Sequence, residues 1–534
     1  MNIHSLLGAT AVATLAALPF TSAATAETPD SALVMAYNID AITTFDPAQI
    51  AEVVPDEILM NACDSLVTFD PKDETAFVPG LAESWEVSED GRQVTFRLKD
   101  GIVFPDGTPA KASDLVWSME RVVKLNFGNA AQLTDYGFTA DNIADLISAP
   151  DDRTVVMKLD KPYPVNLVLA SIAANRVAVM LNRAEIEANE RNGDLGNTYL
   201  QDKTACVGPY TLRQWNPGES ILLEANENYN GTAPNLPRVL VRHVAEPGTQ
   251  RLLLEKGDVD IARNLTAEDL AEVAKQDGIE VVRTLIPSLF YMGMNASRPP
   301  FDNPKVRLAM RYLIDYQGLM ETVMNGVGVP RASFVQLGAF GALDEKEGQP
   351  FKLDIEKAKA LLAEGGYPDG FTTTMIIGTQ PYSDPIAQSI QQAAAQAGVT
   401  MNIERMANAQ LYARNRGRDF DTALLGFKTT VPDANGMASR FVLNPDNSPE
   451  AKLTQYPSWR VGYQDKEMNR RVEEALFEPD QAKREQMYFD LQRDIMEQGP
   501  VAYIMQTMNV AAKRDTLKNW TWNGFRVYYG MASK

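Results

Sequence analysis

The amino-acid sequence predicts an α/β protein of two or more lobes, and three observations carry that prediction. From "VVRTLIPSLFYMGMN" onward, helix and strand patterns alternate in β-α-β spacing, the signature of a parallel sheet covered on both faces. The chain has 534 residues, more than one hydrophobic core organises. No internal repeat, low-complexity segment or Gly/Ser-rich linker interrupts it, so the lobes are expected to be joined by strands that pass between them. Hydrophobic residues at 45% and charged residues at 22% place the chain among ordinary globular proteins.

The first 26 residues are read as a targeting segment outside that fold. Leu6 to Phe20 is an apolar run, shorter than the roughly 20 helical residues that span a bilayer. It leads into "TSAATAE", where Ala24-Thr25-Ala26 offers a small-residue cleavage site before Glu27. The opening "MNIHS" lacks Lys and Arg, but the order of segments is that of a secretory signal cleaved after Ala26. No cysteine lies at the cleavage point to carry a lipid, and no later apolar stretch is long enough for a membrane helix. The mature chain is therefore expected to be exported and soluble.

The elements follow in order. "SALVMAYN" opens as a strand and "VPDEILMNACDSLV" continues as a helix. "GRQVTFRLKDG" alternates Val94, Phe96 and Leu98 with polar residues behind an "EDG" turn, a half-buried strand. "SDLVWSMERVV" reads as a helix with Ser113 as N-cap. "TVVMKLD", "PYTLRQW", "SILLEAN" and "RVLVRHV" are strands. "PGTQRLLLEKG" is a helix entered at Pro247 and stopped at Gly257, leading into the short strand "DVDIA". Beyond the change in pattern, "DIEKAKALLAEGGYPDG" is a helix with a glycine stop and "FTTTMIIGT" a strand. "DPIAQSIQQAAAQAG" is a second helix and "VTMNIERM" a second strand.

One stretch, "FDNPKVRLAMRYLID", is unusually basic for a chain of net charge −20. Asp302 or Asn303 can cap the helix and Pro304 suits its first turn. Val306, Ala309, Met310 and Leu313 share a buried face, while Arg307 and Arg311 are read as a solvated rim, with Asp315 compensating Arg311. With 50 basic against 70 acidic residues there is no broad basic surface, so nucleic acid is excluded as a partner.

Catalytic signatures are missing. After the signal the one histidine is His243, in phase with Val239 and Val241 on its strand and read as packed rather than catalytic. No imidazole or thiolate cluster suggests a metal site, and no phosphate-binding glycine loop or G-x-S-x-G elbow occurs. No cofactor is expected. Carboxylate pairs such as Asp151-Asp152 and Glu473-Glu474 are read as solvated surface. Cys63 and Cys206 are an even count in an exported chain, which allows either a disulfide or two buried thiols.

Five stretches taken together resemble a known family. They are "LAESWEVSEDGRQVTFRLKDGIVFPDGTPAKASDLVWSMERV", "CVGPYTLRQWNPGESILLEANENY", "VAEPGTQRLLLEKGDVDIA", "YMGMNASRPPFDNPKVRLAMRYLID" and "LLAEGGYPDGF". In this order and spacing the chain is similar to the family 5 extracellular solute-binding proteins, the peptide, oligopeptide and nickel receptors of ABC importers. The resemblance implies a two-lobed periplasmic binding protein fold (class II, large type with an extra subdomain) and a hinged cleft. It implies no catalysis. It assigns 27–286 to a first lobe, with the extra subdomain at about 60–185, then 287–505 to a second lobe and 506–534 to a return into the first. The crossovers are expected near "TLIPSLFYMGMN" and "GPVAYIMQTMNVAA". It also implies a periplasmic monomer that delivers a peptide or other small solute to a membrane permease with its ATPase. Both cysteines fall in the first lobe on this reading, and a Cys63–Cys206 disulfide is expected.

The resemblance implies site residues too, and here the sequence departs from the pattern. Peptide-binding members anchor the ligand's amino group on an aspartate three residues after a tryptophan, at a strand end in the second lobe. In "LLGFKTTVPDANGMAS", Phe427 takes the aromatic place and Thr430 that of the aspartate, leaving Asp433 as the alternative anchor. The dipeptide branch pairs the ligand carboxylate with an arginine before Pro-Tyr; here Gln380 precedes Pro381 and Tyr382. A small zwitterionic peptide held in the usual way is therefore not expected. The expected contacts are Tyr382, Gln380, Phe427, Lys428, Thr430 and Asp433, with Lys428 either meeting an acidic group of the ligand or standing in solvent. An exported hydrolase, or a chaperone or adaptor on the same fold, remain the alternative readings.

Overall fold

The first apolar run of the folded chain forms a strand. In a computed structural model that describes residues 28–534 apart from Ala51 and Pro381, the strand Ala32–Tyr37 is buried along its whole length. The expected signal segment and its cleavage site lie outside the described residues. Ala32–Tyr37 pairs in parallel with Arg238–His243 and Ile261–Ala262. Arg238–His243 is followed outward by the antiparallel strands Ser220–Ala225 and Tyr210–Asn216. On the far side of the same sheet lie Thr422–Lys428, Thr372–Ile377 and Thr400–Arg405, mutually parallel. Thr372–Ile377 is buried on both faces, as its continuous apolar run requires: Met375 and Ile377 enter one core cluster and Ile376 another.

Two long strands join the halves. Ile279–Met294 and Val501–Arg514 run antiparallel beside each other in the centre of the sheet. Their pairing breaks between Leu285 and Leu289, where the register shifts. On one side of the shift, Ile279 to Leu285 faces Met508 to Arg514; on the other, Leu289 to Gly293 faces Val501 to Gln506. The backbone groups freed by the shift are met by side chain and loop. Gln506, buried, donates to the Ile286 carbonyl at 3.1 Å and accepts from the Leu337 N–H at 2.7 Å. The Thr429 N–H donates to the Pro287 carbonyl at 2.9 Å.

A subdomain is inserted after the first strand. Its four-stranded sheet, ordered Ala82–Val87, Gln93–Leu98, Thr154–Lys158, Ile147–Asp151, packs Val94, Phe96, Leu98, Val155 and Met157 into one core with the helices Ala112–Leu125 and Val165–Ala174. That core continues into Ala48, Val207 and Phe525 outside the subdomain, so subdomain and first lobe form one packed body. A buried ion pair ties them further: Arg121 donates from two guanidinium nitrogens to Asp46 at 2.7 and 2.6 Å. The disulfide lies in the neighbouring core, joining Cys63 at the end of the helix Val53–Ala62 to Cys206, with Cα atoms 5.4 Å apart.

Two local expectations are corrected. Ser113 lies inside the helix Ala112–Leu125 rather than capping it; Lys111 is the N-cap, and its N–H donates to the Asp114 carboxylate at 2.9 Å. The basic helix spans Pro304–Arg311 and is capped by Asn303, whose side chain accepts the Lys305 N–H at 2.9 Å. Its arginines are not a solvated rim. Arg307 is 5% and Arg311 1% exposed. Arg307 donates to the Phe301 carbonyl at 2.8 Å, and Arg311 to those of Gly499 and Val501 at 2.8 and 2.9 Å. The face they occupy meets the turn at the end of the helix Gln481–Gln498, where carbonyls lack helical partners. Burial without a carboxylate lowers Arg311 to about 10, and it stays a cation at neutral pH. Asp315 is engaged elsewhere, accepting the Gly318 N–H at 3.0 Å.

Candidate functional site

The strand Thr422–Lys428 ends beside the register shift, with Phe427 opposite Leu289 and Lys428 opposite Ser288. The loop that follows is fixed at both ends. Thr429 is bonded to the Pro287 carbonyl at the register shift and its hydroxyl accepts the Val431 N–H at 3.2 Å. Asp433 then caps the helix Ala434–Phe441, accepting the Asn435 N–H at 2.8 Å.

This loop and helix form one wall of a cavity of about 440 Å3. Phe427, Lys428, Thr430, Asn435, Ser439, Arg440 and Tyr456 line it from the second lobe, and Gln132, Asp135, Tyr136, Tyr163 and Leu167 from the subdomain. The walls touch across the seam. Asp135 and Arg440 form an ion pair, and Arg440 also lies over the Tyr456 ring with 5.6 Å to its centre. Asn175 donates to the Thr430 hydroxyl at 3.3 Å, and the rings of Tyr163 and Phe477 meet at 5.6 Å. A larger cavity, about 820 Å3, continues along the seam past Tyr163, with Phe340, Pro432, Asp433, Phe477 and Arg484 on the second-lobe side.

Electrostatics differ along the lining. Desolvation pushes the Asp135 carboxyl above its ordinary value, and the Arg440 charge offsets only part of this. Burial pushes Tyr136 and Tyr456 up as well, so both present neutral rings; the Tyr136 hydroxyl donates to the Leu167 carbonyl at 3.1 Å. The Lys428 side chain is exposed and forms no hydrogen bond or ion pair with another described residue.

The expected contacts separate into two groups. Phe427, Lys428 and Thr430 share the smaller cavity. Asp433 borders the larger one but is 7% exposed and held by Arg484 through two hydrogen bonds of 2.7 and 2.8 Å, so its charge is already met. Tyr382 packs edge-on against Phe290 at 4.7 Å beside the helix Ser383–Gln396, and the Gln380 carbonyl accepts the Ser383 N–H at 3.0 Å. Neither lines the smaller cavity. His243 is half-buried in its sheet, its Nδ1 accepting the Ile39 N–H at 3.3 Å.

Sequence reasoning missed Asp135, Tyr136, Tyr163, Arg440 and Tyr456. Arg440 had a signal: it lies one helical turn beyond Gly436 on the face that Asp433 begins, so the helix after the loop carries it to the same wall. Asp135 had none, because a fold contact brings it there from the subdomain.

Comparison with known proteins agrees with this architecture. The profile described as "Bacterial extracellular solute-binding proteins, family 5 Middle" matches residues 76–449. The probable D,D-dipeptide-binding periplasmic protein DdpA of Escherichia coli is 28% identical over 443 residues, covering 83% of this chain and 82% of its own length. Heme-binding protein A of Haemophilus influenzae is 26% identical over 480 residues, covering 86% and 85%. Among solved structures, HbpA2 from Haemophilus parasuis superposes with a TM-score of 0.78 at 22% identity, covering 94% of this chain and 99% of that one.

Proposed function

Because the chain belongs to the family 5 bacterial extracellular solute-binding proteins, we propose that its solute is captured in the cavity between the subdomain and the second lobe. The protein is the solute-binding component of an ABC import system. The observation that carries the site is the Asp135–Arg440 contact: two charged groups from bodies joined by paired strands face each other across one chamber. Binding there closes the seam, and the register shift at Leu285–Leu289 is the natural place for the strands to bend. On this reading the first lobe runs over 27–286, the second over 287–505, and 506–534 returns to the first.

The solute we infer is peptide-like. The relatives' names carry a D,D-dipeptide and a heme. A lining of opposite charges, amide and hydroxyl groups and neutral tyrosine rings suits a peptide-like solute better than a heme. We further infer that the chain turns over no substrate, acts as a monomer beside its permease and ATPase, and reaches the periplasm after cleavage at Ala26. Family members of this kind are periplasmic, and no helix among the described residues is long and apolar enough to cross a membrane. Mass spectrometry of the solute that co-purifies with the protein tests the proposal. A peptide or peptide-like molecule, lost on Thr430→Trp substitution that fills the chamber, is the expected result. A bound solute indifferent to that change would remove the site.

A further inference from the structure

The smaller cavity has a charge imbalance that its protein does not resolve. Two cations line it, Lys428 and Arg440, against one carboxylate, Asp135. Asp135 already contacts Arg440, so one cation is matched. Lys428 has no ion-pair partner among the described residues, although the whole chain carries a net charge of −20. In so acidic a protein, an unmatched cation at a chamber wall is a local exception to the overall field. The carboxylate at the other end of the loop, Asp433, is turned away into its pair with Arg484.

The consequence for a bound solute follows from what each end would meet. An amino group entering the chamber finds only Asp135, and must share it with Arg440. An acidic group finds Lys428 at no such cost. A solute with one amino and two acidic groups leaves no charge in the chamber alone: the amine lies against Asp135, one acid against Arg440 and the other against Lys428. A neutral zwitterion leaves Lys428 without a partner.

Resting on the reading of this cavity as the solute site, we propose that the chamber selects peptide-like solutes of net negative charge, whose acidic groups outnumber their amino groups, with Lys428 as the residue that sets the preference. Lys428 suits a direct test because nothing in the fold depends on it: its side chain is exposed and unpaired.

The experiment offers the protein, freed of co-purified solute, an equimolar library of di- to tetrapeptides in low salt, and reads the retained peptides by mass spectrometry after rapid gel filtration. Net-negative peptides are expected to be enriched about tenfold over neutral ones of equal length, as one added charge contact at the cavity wall in low salt allows. Lys428→Gln should cut that enrichment severalfold with an unchanged melting temperature. Asp135→Asn, which removes the competing carboxylate, should raise it. A merely structural role would move both variants in the same direction. Retention without charge bias, or a bias unaltered in Lys428→Gln, overturns the charge preference and leaves the solute site standing. No retention of any peptide overturns the peptide-like reading of the site, and the preference with it.

Discussion

Lys428 and Asp433 stand at the two ends of one loop and meet opposite surroundings. Asp433 is buried, caps the helix Ala434–Phe441 and is held by Arg484 on both carboxylate oxygens. Lys428 lines the smaller cavity and is exposed without a partner. The same division runs through the arginines of the second lobe. Arg307, Arg311 and Arg331 are buried among backbone carbonyls, whereas Arg440 reaches across the seam to the subdomain. A charge whose partners the fold supplies is scaffold, and one left over at the cavity wall is available to a solute. Residue type alone does not separate the two.

Four substitutions sharpen or break that division. Asp433→Ala should have the largest effect, because it strands the buried Arg484. We expect a loss of about 3–5 kcal/mol in thermal or urea unfolding. A loss under about 1 kcal/mol would return Asp433 to the role of ligand anchor. Arg311→Met comes next, removing the donor to the Gly499 and Val501 carbonyls where the return strand begins. About 1.5–3 kcal/mol is expected in urea unfolding, and wild-type stability would show that the solvated-rim reading was right after all. Arg440→Gln breaks only a pair at the seam, so stability should change by about 1 kcal/mol or less. Its signature is instead a less compact solute-free protein in low salt, read by scattering. Lys428→Gln should leave stability within about 0.5 kcal/mol of wild type; a larger drop would mean that the side chain has a structural partner in solution.

Much of the scaffold was legible because it follows from short-range pattern. The alternation in "GRQVTFRLKDG" put Val94, Phe96 and Leu98 into the core, and the bracket of Pro247 and Gly257 matches the helix Pro247–Lys256, which Gly257 ends at φ 81°. Both linking strands overlap the stretches expected to cross between lobes, each extending beyond its stretch at one end. What failed were choices between two solvation states of one residue. Arg307 and Arg311 share a helix face in the sequence, but whether that face meets water or the end of another helix is decided by packing. Ser113 lost the cap to Lys111 because the chain enters the helix earlier than a cap-first reading assumes. The site was half legible for the same reason. Phe427, Lys428 and Thr430 follow one another along the chain, while Asp135 arrives through the subdomain.

Capture in this cavity requires a seam that closes around its solute, and small-angle scattering with amide exchange on the same sample measures this most directly. With the co-purifying solute at saturation, the radius of gyration should fall relative to the solute-free protein. Exchange should slow around Leu285–Leu289 and Val501–Met505, where the two linking strands change register. An unchanged radius together with unchanged exchange in both segments, at a solute concentration shown to fill the site, would contradict it.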